Sequence, residues 1–539
     1  MSPGTAARRH EEEETGQMEK IRQKLFTKRV LYLICFMALS LIEFLRATQG
    51  GNVWKAAANC SGLVVMVLIF SAVPLKELTD RFNVVYVLLC AAAMIALHFY
   101  WLSHQGEILW GQAQTAVLNV CWLGIALRYY FRKVIVEKKI SLRPGLTGWL
   151  WIALSVSMIA SVSERWWPLW FFLMFGCFYL TEFSGEDKTA LWDGMIDGTI
   201  LAFFAVQIYA YGFRPYDELR YKGAFSNSNM MALYYLIVYL MCLFRLHTLE
   251  MKKAKRGWKL FFLLGAGGML SFQLFTMCRT AWIASFVVTV LYGLFVMRGI
   301  WRMKWPGILC RGCALVLAVA VTFLPVYGTI RWLPAILHHP IWYEGEYSVD
   351  KVHSFDPPDS EKYVKLEDFA DALFGRILRT LKIVERQDPF ALRAYAAEDM
   401  ERVELVETSW TEDTALRIRL TIYKAYWDDL NWFGHGLSEG YFIIGDEDYF
   451  SRHAQNLWLQ MAYTYGIPAG ILSVVLSIAL LYAQGRNMMR QKDNPYAIIP
   501  FFVCVTFMLF GVMEIVWNPG QLIMFLIFFA QHPQMTEQQ

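Results

Sequence analysis

Three stretches far apart in the chain carry side chains suited to chemistry on a phosphate. "RYKGAFSNSN", residues 220–229, puts Arg220, Lys222 and two asparagines directly before the apolar run "MMALYYLIVYLMCLF". "MCRTAW" puts Arg279 at the start of another apolar run, and "SRHAQNLW" puts His453 and Asn456 before a third. An arginine offers a planar fork that holds phosphate at two points. Two such forks would stabilise a developing negative charge. An imidazole titrating near neutrality can act as general base toward a hydroxyl. Each residue also has an ordinary reading. Arginines at helix ends snorkel to the membrane surface, asparagines cap helices, and a lone histidine beside a membrane is more often structural.

The elements that must position these residues are membrane helices. Of 539 residues, 56% are apolar or aromatic and 18% are charged, against roughly 25% charged in soluble proteins. Apolar runs of roughly 17 to 25 residues, each able to cross a ~30 Å hydrocarbon core, recur along the chain. The expected fold is all-α: a polytopic helical membrane protein with about 12–14 spans. The runs begin near Val30, Ala56, Asn83, Trp110, Leu146, Trp166, Leu191, Asn229, Leu260, Ala281, Gly312, Tyr463, Tyr496 and Pro519. A long extracytoplasmic loop, expected to be helical, precedes the last three. The organisation is a cytoplasmic tail at 1–28, a membrane domain at 29–329, the loop at 330–455, C-terminal spans at 456–531 and a tail at 532–539. The first 28 residues are polar and read as a tail, with no cleavable signal peptide. The net charge of +4 comes from loop lysines and arginines and is no sign of a nucleic-acid partner.

Basic connections set the orientation. The N-terminal tail, "RYYFRKVIVEKKISLR", "KKAKRGWK", "RGIWRMK" and "QGRNMMRQK" all fall on one side if there are fourteen spans. Both termini are then cytoplasmic, and residues 213–228, the "MCRTAW" turn and the long loop face outward. Arg220, Arg279 and His453 thereby reach one face, where a shared outward cavity is expected.

In this context four stretches resemble the signatures of the bacterial O-antigen ligase and polysaccharide polymerase family, in the family's order. "RYKGAFSNSNMMALYYL" is similar to its R-x-x-G-x-F-x-N-x-N-x-x-A signature, and "FTMCRTAWIASFVV" to the one whose arginine opens the next span. "RIRLTIYKAYWDDLNWFGHGLSEGYF" resembles its arginine-helix-G-x-G segment, and "HAQNLWLQMAYTYGIPAGIL" its histidine-asparagine segment. Gln455 stands directly before the asparagine, where the family commonly has histidine, and His453 lies two residues earlier. The resemblance covers roughly residues 190–485. It implies a membrane glycosyltransferase at the outer face of the bacterial cytoplasmic membrane. The donor would be a polyprenyl-diphosphate-linked glycan and the acceptor a hydroxyl of a glycan, lipid or protein. It also implies inversion at the anomeric carbon, no metal, no cofactor and no nucleotide sugar. His453, Arg220 and Arg279 take the catalytic roles.

Other residues complete the expectation. Arg419 is placed to orient the diphosphate; its helix has Leu416, Leu420, Tyr423 and Trp427 on one face. Lys222 adds charge or meets a lipid headgroup. Asn456 caps a helix or fixes the imidazole, and Glu514 reaches the cavity. His435, within "GHG", is read as structural. Asp193 and Asp197, four apart on one helix face, bridge to another helix, line a wet cavity or lie near the cytoplasmic surface, the last being the preferred reading. Cys310 and Cys313 form a CxxC without a second pair, which argues against zinc. A transporter or flippase of lipid-linked glycans needs the same cationic contact, but it should show repeats or broken helices near the midplane. A non-catalytic membrane sensor is the third possibility.

Overall fold

Inside lipid, backbone polar groups must be satisfied within the segment itself, so apolar runs of this length form helices. The computed structural model describes residues 28–44, 53–103, 109–140, 144–163, 166–212, 216–217, 220–223, 225, 227–331, 333, 366, 369–371, 373–375, 401–403, 414–436, 442–444, 449–451, 453–516, 522–523 and 526–528. Most of the tail and loop segments expected at 1–28, 330–455 and 532–539 lie outside the described residues.

In chain order the helices are α1 (28–44), α2 (Val53–Phe70), the short α3 (Leu75–Leu78), α4 (Arg81–Ser103), α5 (Leu109–Phe131), α6 (Leu146–Ala160), α7 (Trp166–Tyr179) and α8 (Gly185–Gly212). They continue with α9 (Ser228–Met251), α10 (Arg256–Phe275), α11 (Arg279–Leu291), α12 (Trp305–Arg331), α13 (Thr414–Asp428), α14 (Leu457–Tyr465), α15 (Ile467–Arg490) and α16 (Ile498–Gly511). The chain is an all-α polytopic helical protein. Among the described residues, 7 helical segments are long and apolar enough to cross a membrane, and four shorter apolar ones accompany them. The outer helices carry apolar side chains outward: Leu88, Leu89, Val316 and Leu317 are each more than 60% exposed. In water, each such side chain would forgo about 1.5–3 kcal/mol of burial; lipid removes that cost.

The core runs along α9, where every residue from Met231 to Phe244 is buried. It packs against α8, α10, α11 and α16. Some hydroxyls inside are paired: Tyr235 Oη donates to Gln207 Oε1 at 2.9 Å, and Tyr239 Oη meets Thr289 Oγ1 at 2.6 Å. Such pairing is what permits hydroxyls in an apolar interior.

The structure departs from the sequence reading in three places. First, the loop read as helical also holds a sheet: β3 (Glu401–Val403) runs parallel to β4 (Phe442–Ile444), which pairs antiparallel with β5 (Tyr449–Ser451). Strands of three residues have no periodicity to read. The chain also holds a two-stranded pairing of 216–217 with 220–221.

Second, the buried face of α13 is not the one expected. Ile422, Ala425 and Tyr426 pack with Phe442, Ala454 and Tyr463, while Trp427 is 68% exposed. Apolar residues lie on both sides of this helix, and contact with the sheet and α14 decides which side is buried. Trp427, Trp432 and Phe433 face outward together, as interfacial aromatics do.

Third, the span expected to begin near Tyr463 is broken. Gly466 adopts φ +94° between α14 and α15, a region that favours glycine. Its open side receives the Trp432 carbonyl. Segment 431–436 docks there: His435 N donates to Tyr463 O at 2.8 Å and Ile467 N to Asn431 O at 3.0 Å. His435 stacks on Tyr463 with centroids 4.3 Å apart, a structural role as read.

Candidate functional site

The site begins at the N-terminal end of α9. Asn227 caps that helix by accepting from Asn229 N at 2.8 Å. Asn229 is thereby free to work with its side chain. Its Oδ1 accepts from Arg220 Nη2 at 2.6 Å, and its Nδ2 donates to Glu514 Oε1 at 2.6 Å. Arg220 Nε donates to the Thr276 carbonyl at 3.2 Å. Three segments thus converge: the strand before α9, the turn between α10 and α11, and the turn after α16. The orientation of the Asn229 amide follows from chemistry, because a guanidinium has no acceptor and an ionised carboxylate has no donor.

Arg220 is half-buried. A guanidinium has five N–H donors, and the described contacts use two, both on neutral oxygens. Its Nη1 group has no hydrogen-bond partner among the described residues.

A fourth segment adds Arg419 of α13. Its Nη1 points at Met513 Sδ, 2.9 Å away; a thioether is only a weak acceptor. Tyr423, one turn on, donates to the Val512 carbonyl at 2.9 Å. Asn456 caps α14 by accepting from Trp458 N and Leu459 N, each at 3.1 Å, and its Nδ2 donates to Val512 O at 3.1 Å. The 512–514 turn therefore joins α9, α13 and the start of α14. Arg220 and Arg419 both lie within electrostatic reach of Glu514 and of Cys278, the residue before Arg279. Arg279 itself opens α11 and is half-buried.

His453 lies three residues before Asn456 in the chain, and no hydrogen bond or ion pair among the described residues ties its side chain to this cluster. Its side chain keeps contact with solvent while protein crowds the surroundings. That crowding disfavours the imidazolium and holds the group below its ordinary value. Gln455, between them, takes φ +47° and accepts from Tyr423 Oη at 3.3 Å through its carbonyl. Lys222, directly after the strand at 220–221, is 4% exposed, so of its two expected places the headgroup contact does not hold.

Arg220, Asn229, Glu514 and Arg419 are therefore brought together, with Asn456 joined to them through the Val512 carbonyl and Cys278 within reach of the two arginines. Sequence reading treated Asn229 as a possible cap and did not single out Tyr423 or Met513 for the site; the second asparagine of "NSN" was the available signal. Two apolar crevices away from these residues are lined by α6, α7, α14 and α15 and neighbouring residues. The chain that would wall the expected cavity falls largely outside the described residues.

The opposite end of α9 holds a second cluster. Arg245 Nη1 donates to Asp193 Oδ1 at 2.7 Å, and its Nη2 pairs with Asp197. Arg29 of α1 bonds Asp197 Oδ2 at 2.6 Å, and Lys252 reaches Tyr496 Oη at 3.2 Å. The aspartates thus bridge helices rather than merely lie near a surface. Gly194 and Gly198 make this possible: a Cβ on Gly194 would lie 2.6 Å from Tyr32 Cβ, and one on Gly198 would strike the Leu33 carbonyl. Small residues four apart let α1 and α8 meet closely. Ends of several basic connections gather here, as one-sided sorting requires.

Among the described residues, no group of three or more His, Cys, Asp or Glu is arranged to hold a metal ion. No protein-family model, curated protein or solved structure matches the chain.

Proposed function

We propose that the chain is a membrane glycosyltransferase. It moves a glycan from a polyprenyl-diphosphate carrier to an acceptor hydroxyl at the outer face of the bacterial cytoplasmic membrane. The observation that supports this reading is the state of the arginines at the N-terminal end of α9. Arg220 is held in place by two neutral oxygens, and Arg419 by a sulfur. Guanidiniums fixed in this way, at the end of a membrane helix, suit an anion whose tail stays in lipid.

In this reading Arg220, Arg279 and Arg419 hold the diphosphate and counter the charge that grows on it as the anomeric bond breaks. The acceptor hydroxyl attacks from the opposite side, and the anomeric carbon inverts. His453 and Glu514 are the neighbouring groups able to take its proton.

The test is product mass. Purified protein in lipid nanodiscs is given lipid-linked glycan from cell membranes and a panel of glycan, lipid and protein acceptors. A mass equal to glycan plus acceptor, with free polyprenyl diphosphate released, supports the reading. Glycan that crosses the bilayer still attached to its carrier would instead identify a flippase.

A further inference from the structure

Glu514 has properties that holding an anion does not use. It is 9% exposed. Oε1 accepts from the Asn229 amide, the one hydrogen bond made to this carboxylate among the described residues. Two arginines stand nearby, yet its hydrogen bond comes from a neutral group. A carboxylate locked between guanidiniums is a poor proton acceptor, whereas one facing an amide with an open oxygen keeps more of its basicity. It is also oriented, because Asn229 is tied to α9 on one side and to Arg220 on the other. His453 has no such support: the hydrogen bond acting on its ring comes from its own backbone.

Resting on the glycosyl-transfer reading, we propose that Glu514 takes the proton of the attacking hydroxyl. As the acceptor oxygen bonds to the anomeric carbon, its proton moves to Oε2. The bond from that carbon to the diphosphate breaks, and its electron pair leaves on the diphosphate, facing Arg220. The proton then passes from Glu514 to water. Asn229 ties the carboxylate to the guanidinium through one amide group and two hydrogen bonds.

The test pairs turnover with binding. Glu514→Gln keeps size and hydrogen bonding but removes the base, so transfer should fall about 10²- to 10⁴-fold. Binding of sugar-free polyprenyl diphosphate, read by native mass spectrometry, should hold or tighten, since one negative charge has left an anion site. Glu514→Asp should recover part of the rate. Wild-type turnover in Glu514→Gln would overturn this assignment and leave the glycosyltransferase reading standing. Loss of binding together with turnover would make Glu514 structural and also overturn it. A wild-type protein that transfers glycan to no acceptor would bring down the reading and this inference with it.

Discussion

The two ends of α9 hold arginines in opposite ways. Asn229 and Arg245 are 16 positions apart, about 24 Å along the helix axis at 1.5 Å per residue. Arg245 is paired through both Nη groups with two carboxylates from α8, one of which Arg29 also holds. Arg220 and Arg419 are held by amide, carbonyl and thioether groups. Carboxylates consume an arginine's charge and leave a helix clamp. Neutral acceptors fix its position and leave its charge for something else. Arginine content alone does not tell a clamp from a binding site; the partners do.

The sharpest way to break this comparison is Arg245→Ala. It leaves two carboxylates facing each other, and breaking a buried pair costs about 3–5 kcal/mol. Thermal unfolding in lipid nanodiscs should show a large drop, and an unchanged midpoint would deny the clamp. Next come Arg220→Lys and Arg279→Lys, which keep the charge and lose the fork. Transfer should fall roughly 10²- to 10³-fold, as when one donor of a charge-stabilising site is lost, with thermal unfolding little changed. Near-normal turnover at matched expression would reduce both residues to anchors.

Met513→Glu makes the site end resemble the other end by giving Arg419 a carboxylate. Binding of polyprenyl diphosphate should weaken about tenfold, the equivalent of ~1.4 kcal/mol, while the fold persists. Tighter binding would show that Arg419 does not face the anion. Gly198→Leu should destabilise by about 1–3 kcal/mol through overpacking against α1. The turnover of each remaining folded molecule should not change.

The smallest effect is expected at His453. Its imidazole is held below the ordinary value of about 6.5, so the unfolded chain takes up a proton more readily. Stability therefore declines as pH falls through the ordinary value toward the lower folded one. His453→Ala should flatten that decline slightly and leave the acid limb of transfer in place. If the limb disappears with the histidine, the proton acceptor is His453 and not Glu514.

Helix positions were largely legible because their cause is local. Lipid thickness sets run length, and polar breaks end each run, so expected and observed starts agree closely at Val30, Asn83, Leu146, Trp166 and Asn229, where helices begin at 28, Arg81, Leu146, Trp166 and Ser228. The interruption at Gly466 was not legible. Its reason is the Trp432 carbonyl packed against it, which no reading of 457–490 alone can see.

By itself, the sequence determined an all-helical membrane chain with arginines at particular helix ends, because hydrophobic length and charge placement are properties of short windows. Tertiary structure decided what each arginine does. Arg245 meets an aspartate 52 residues away, and Asn229 meets Glu514 across 285. It also decided which side of α13 is buried and that Lys222 turns inward. These choices depend on groups distant in sequence competing for the same partner, and only the packed chain resolves that competition.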